Sequence, residues 1–135
     1  MIRIARSSDI PQIRTLLHSV PGMWNESWPP NVLDRALSSA DAVAIVHDAG
    51  EAIDGFACAH DLGFRAYLSE LVVAQDAQGG GLGSRLLREI ERQLADRGRT
   101  VVIADVWRDA ERFYRANGWD PPPVVLLGKH LKAAV

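Results

Sequence analysis

The chain has 135 residues, 47% apolar and 24% charged, with a formal net charge of -2. That size predicts one domain over residues 1–135, burying roughly two thirds of its unfolded surface, and the charge balance gives no overall basic excess for nucleic acid. No apolar run approaches the ~20 residues needed to span a membrane, the opening Met-Ile-Arg-Ile-Ala-Arg lacks the apolar core of a secretory signal, and the lone Cys58 excludes an internal disulfide framework. A soluble cytoplasmic protein is expected.

Short strand-like and helix-like runs alternate along the chain, which predicts a mixed α/β class. Ile2 to Ala5 alternates as a strand; Ile10, Ile13, Leu16 and Leu17 then mark a helix with Pro11 in its first turn and Ser8 or Asp9 as its cap, ending before Pro21-Gly22. Val32, Leu33, Ala36 and Leu37 predict a second helix after Pro29-Pro30. Ala42 to His47 and Ala52 to His60, joined by a turn over 48–51, predict a hairpin, and Ala66 to Val73 continues the sheet. Leu82, Leu86, Leu87, Ile90 and Leu94 recur at helical spacing, with Arg85, Arg88, Glu89 and Arg92 on the other faces. Val101 to Ile103 is the next strand, Asp109 to Asn117 a helix stopped by Gly118, and Val124 to Leu127 a last strand. Strand, helix, strand over 66–106 requires a parallel pair.

Between strand and helix lies Gln78-Gly79-Gly80-Gly81-Leu82-Gly83-Ser84. Glycines in such a turn can adopt positive φ, so that successive amides converge on an anion beside the positive end of the helix dipole. Three phosphate cradles use this logic. The nucleotide-triphosphatase loop needs Lys-Ser or Lys-Thr after its last glycine, where this chain has Gly83-Ser84-Arg85. A dinucleotide site finds an acidic residue at a suitable distance in Asp105, but the loop begins at residue 78, too late for a doubly wound sheet. The third pattern, Gln/Arg-x-x-Gly-x-Gly/Ala, fits Gln78, Gly81 and Gly83 with Val73 five residues upstream.

With that pattern stand Glu70-Leu71-Val72-Val73, Leu86-Leu87 and Ala110-x-x-Phe113-Tyr114-x-x-x-Gly118-Trp119, together covering about residues 66 to 119, preceded by Ile2-Arg3-Ile4-Ala5-Arg6 and Asp9-Ile10-Pro11. In this order and spacing the chain resembles the GNAT superfamily of acetyl-CoA-dependent N-acetyltransferases. The resemblance implies a mixed α/β fold: a central, mostly antiparallel sheet with one splayed parallel pair, flanked by about four helices, with the pantetheine arm of acetyl-CoA in the splay. It assigns acetyl-CoA to Gln78, Gly79, Gly80, Gly81, Leu82, Gly83 and Ser84 and to the backbone amides of Val72 and Val73. Tyr114 matches the family's phenol that protonates the leaving thiolate, and Glu70 a carboxylate that holds the acceptor ammonium or takes its proton. A homodimer is also in keeping with the resemblance.

Other residues are read beside these. The family walls its acceptor site with the connection between its first two helices, here Met23 to Trp28, so Trp24, Glu26 and Trp28 are candidate substrate contacts through cation-π and charge pairing; His60 and Asp61 are weaker candidates at a strand end. Arg85 and Arg88 can approach phosphates, while Arg85 is also spaced to pair with Glu89. His18, His47, His60 and His130 are dispersed and form no metal-ligand spacing, so no metal is expected. Cys58 reads as a small buried apolar residue. Trp107 stands where many family members have asparagine, which puts that asparagine's contact in doubt. The expected function is acetylation of a small-molecule amine by direct attack in a ternary complex; the alternative is a noncatalytic acyl-CoA-binding or sensing module, which would keep the glycine loop but need neither Tyr114 nor Glu70. No motif names the amine.

Overall fold

A computed structural model describes residues 1–132. Two compact units divide at Ala104/Asp105. The first holds a five-stranded sheet in the order β1-β2-β3-β4-β5, formed by β1 (Ile2–Ile4), β2 (Ala42–Asp48), β3 (Ile53–Asp61), β4 (Ala66–Val73) and β5 (Val102–Ile103). The first four strands run antiparallel and β4 with β5 parallel, as the crossover helix requires. Helices α1 (Ile10–Ser19), α2 (Val32–Ser38) and α3 (Leu82–Asp96) belong to this unit.

Alternation along the strands sends side chains to two faces. On one, Val46, Phe56, Cys58 and Val72 meet Ile10, Ile13, Leu16 and Leu17 of α1 and Leu33 of α2 in one buried cluster. The other is covered by α3, which buries Leu82, Leu86, Leu87, Ile90 and Leu94. Gly55, Ala57 and Ala59 of β3 keep that second face shallow: a Cβ on Gly55 would stand 2.8 Å from Leu86 Cδ1. Ala57 and Ala59 are themselves fully buried.

The hairpin of β2 and β3, the start and end of β4 and the span of α3 follow the expected runs. Asp9 takes the N-cap position of α1 as expected but makes no side-chain cap bond there; its carboxylate accepts from Arg6 N at 2.7 Å and from both terminal nitrogens of Arg3 at 2.8 and 2.9 Å, tying β1 to the start of the helix. Glu89 bonds Arg92 and Gln93 rather than Arg85, so Arg85 and Arg88 stay exposed on α3 with no ion pair among the described residues.

The second unit begins at Asp105 and contains α4 (Glu111–Ala116) after a short 3₁₀ turn over Arg108–Ala110. Gly118, at φ +88°, ends the helix: its N–H donates to Arg115 O at 3.1 Å and Trp119 N donates to Tyr114 O at 3.0 Å, the paired bonds of a Schellman stop. The strand expected over 124–127 does not form. Those residues have no regular structure and stand exposed, because β propensity alone supplies no partner for the ladder groups.

Candidate active site

The site begins with an irregularity in β4. Cys58 lies opposite Glu70 and Ala59 opposite Leu68, so Ser69 is an extra residue with no partner of its own. Such a bulge bends a strand and can terminate pairing. Here the parallel ladder to β5 covers only Ala66↔Val102 and Tyr67↔Ile103, and stops just before Ser69. Beyond the bulge one edge of β4 has no strand beside it among the described residues.

Which groups line that edge follows from alternation. Ala74 N donates to Asp54 O at 2.8 Å, so the next hydrogen-bonded pair toward the bulge is Val72 with Phe56. Val72 therefore spends its amide on β3, a correction to its expected role, while Leu71 and Val73 turn theirs to the open edge. Leu71 was not among the expected residues, yet amides on one strand edge recur every second residue, which puts it on the same edge as Val73.

Next along the chain, Gln78 donates from Nε2 to Val73 O at 3.0 Å and clips the glycine loop to the end of β4. Its side chain is thus a brace for the cradle. Within the loop Gly79 (φ +88°) and Gly81 (φ +84°) take positive φ, whereas Gly80 and Gly83 do not. A Cβ at Gly79, Gly80 or Gly81 would meet no atom within 4 Å, so the loop is open to an incoming group. Gly81 is the N-cap of α3 and offers no side chain, and the first helical bond is Arg85 N to Gly81 O at 3.1 Å. The amides of Gly81, Leu82, Gly83 and Ser84 precede it and have no intrahelical acceptor. Orphan amides, a helix dipole and an open glycine loop fit the pyrophosphate of a coenzyme A thioester.

On the sheet face below α1 and α2, the bulge turns Ser69 and Glu70 into one pocket of about 230 Å³, shared with Leu17, Phe56, Cys58, His60, Trp28, Val32, Leu33 and Ala36. The Glu70 carboxyl makes no side-chain hydrogen bond or ion pair among the described residues, and burial alone pushes it up to about 7. A base of that strength is half ionised at neutral pH. Burial first, and then the Glu70 charge, pushes the neighbouring Cys58 thiol up to about 11 against a lowering by Ser69, so no nucleophilic thiolate is present at neutral pH. His60 Nε2 lies 3.7 Å from Cys58 Sγ.

The three α1–α2 candidates separate. Trp28 lines the pocket; Trp24 stands behind it, edge-on at 5.2 Å, and stacks on His18 at 4.3 Å. Glu26 is exposed and outside the lining. Asp61 also lies outside it, accepting from Gly63 N and facing Arg99 at 3.5 Å. In the second unit, half-buried Tyr114 packs edge-on against Phe113 at 5.2 Å and Trp119 at 5.4 Å. Trp107 is 68% exposed there, its carbonyl accepting from Ala110 N.

A parallel pair that ends at a bulge, followed by a glycine loop at a helix N-terminus, is the geometry that this sheet presents. The chain belongs to the GNAT acetyltransferase family, whose model matches residues 10–119. Its fold is shared by an aminoglycoside acetyltransferase, meta-AAC0020, from an uncultured soil metagenomic sample (23% identity, TM-score 0.80, 98% of this chain and 96% of that one). A ribosomal-protein-alanine N-acetyltransferase from Brucella melitensis biovar Abortus 2308 also shares it (16%, 0.77, 96% and 98%), as does a transcriptional regulator from Bacillus halodurans C-125 (21%, 0.81, 97% and 99%). No curated protein sequence matches the chain. The family generally uses acetyl-CoA.

Proposed function

We propose that this chain is a cytoplasmic N-acetyltransferase that moves the acetyl group of acetyl-CoA to a primary amine of a small molecule, by direct attack with both substrates bound. The observation that carries this reading is Glu70, a carboxyl with no partner among the described residues and a pKa of about 7, in a pocket one residue past the bulge in β4. Bound acetyl-CoA supplies a thioester whose acyl carbon accepts a neutral amine. The loop amides of Gly79 to Ser84 hold its phosphates, with Gln78 bracing the loop, and the edge amides of Leu71 and Val73 hold its arm and polarise the carbonyl. Glu70 takes the proton that the acceptor ammonium must lose. Tyr114 donates its phenolic proton to the departing sulfur, a transfer that is level to ~2 kcal/mol uphill from a phenol of pKa ~10 to a thiolate of pKa ~8.5–10 and that requires hydrogen-bond reach of that sulfur.

A homodimer belongs to the same reading. Val124 to Leu127 are four consecutive apolar residues, each at least 71% exposed, and a second copy would cover them; light scattering on the purified protein tests this.

The deciding experiment combines thermal melts with acetyl-CoA, NAD and ATP in parallel with a thiol-release assay over a set of amines. Ligand at ~100 times its dissociation constant adds ~2.7 kcal/mol, visible as several degrees. Stabilisation by acetyl-CoA alone with amine-dependent thiol release is expected. Stabilisation without release for any amine would make the chain a noncatalytic acyl-CoA-binding module, and stabilisation by NAD or ATP instead would overturn the cradle's assignment.

A further inference from the structure

We infer that the acceptor is a monoamine with an apolar body about the size of a benzene ring on a short arm, seated in the pocket between α1, α2 and the β3–β4 floor. This inference rests on the transferase reading above and narrows its substrate class.

Wall chemistry is the first ground. Leu17, Val32, Leu33, Ala36 and Phe56 give the pocket apolar sides, and Trp28, edge-on to Trp24, adds an aromatic surface to the lining. Charge is the second. Among the described lining residues Glu70 is the only acid, and Glu26, the other carboxylate expected to recognise an amine, is exposed and outside the lining. One carboxylate answers one ammonium. A second ammonium carried into these walls would lose its hydration and find no counter-charge, a cost that rejects polyamines and aminoglycosides. Size is the third: an apolar cavity of ~150 Å³ accommodates benzene, so about 230 Å³ leaves room for a ring and a short alkyl arm reaching Glu70. In the reaction the amine proton passes to Glu70, the N–C bond forms as the C–S bond of the acetyl-CoA thioester breaks, and the sulfur leaves with a proton from Tyr114.

The test is a matched pair. Thiol release from acetyl-CoA is measured with n-hexylamine and 1,6-diaminohexane, which differ by one terminal amine, and with 2-phenylethylamine against kanamycin. We expect kcat/KM at least tenfold higher for the monoamine of each pair, carried mainly in KM. Ala36→Asp, which places a second acid in the wall, is expected to narrow the hexylamine preference. Equal rates within the pairs, or preference for the diamine or kanamycin, would overturn the inference and leave the transferase reading standing. Absence of thiol release with every amine, while acetyl-CoA still stabilises the protein, would overturn both.

Discussion

At the scale of single residues, Glu70 is the group whose state decides most. It follows the Ser69 bulge, faces Cys58 across the β3–β4 ladder, and is held up to about 7 by burial, with no compensating partner among the described residues. If it takes the proton, Glu70→Gln lowers kcat/KM by ~10²–10⁴-fold and removes the acidic limb near pH 7 from the pH–rate profile; a limb that persists in the variant places the base elsewhere. Tyr114→Phe is the companion change, expected to lower kcat by a similar factor with KM little altered, and unchanged kcat would remove Tyr114 as the acid. Both residues stand out in the sequence because they sit inside spaced motifs, and their roles belong to the proposed reading. The pocket around Glu70 was less so: Trp28 and Glu26 lie two residues apart on one loop, yet only Trp28 lines it, and nothing in composition says which way a loop side chain turns.

At the scale of elements, the strand runs and α3 were readable because one buried face stamps a regular period on the residues. The last strand was not, since Val124 to Leu127 has β-forming composition but a strand exists only with a partner, and pairing is a property of two segments. Glycines sort in the same way. Gly55→Ala would drive a Cβ to within 2.8 Å of a fully buried Leu86, which has nowhere to retreat, and should cost ~1–3 kcal/mol, read as a fall of several degrees in the thermal midpoint. Gly81→Ala meets no atom but must hold φ near +84°, at a cost of ~1–2 kcal/mol. Gly80→Ala, with open space and no positive φ, should melt like the parent protein; equal losses for Gly80→Ala and Gly81→Ala would contradict the loop geometry.

For the molecule as a whole, the titrating groups set a pH window. Hydrogen bonds from Arg3 lower the Asp9 carboxyl, those from the Gly50 amide and then Arg3 lower Asp48, and those from Arg92 and then Gln93 hold Glu89 down to about 2. Groups depressed in this way stabilise the fold above their unfolded values near 4 and lose that contribution as the solution is acidified through their folded values. Glu70 works in the opposite sense: its preference for the neutral form favours folding below 4.5 and is lost as pH rises through about 7. The thermal midpoint should therefore peak near pH ~5, decline up to about pH 7 and level off above it, and Glu70→Gln should flatten that decline, as melts across a pH series would reveal. The same molecule carries a deliberate phase error in β4. A strand without Ser69 would keep its beat through to Val73, so a designer idealising this fold would delete the residue at which β4 bends just past its pairing with β5. On the proposed reading, loss of that single codon trades activity for regularity.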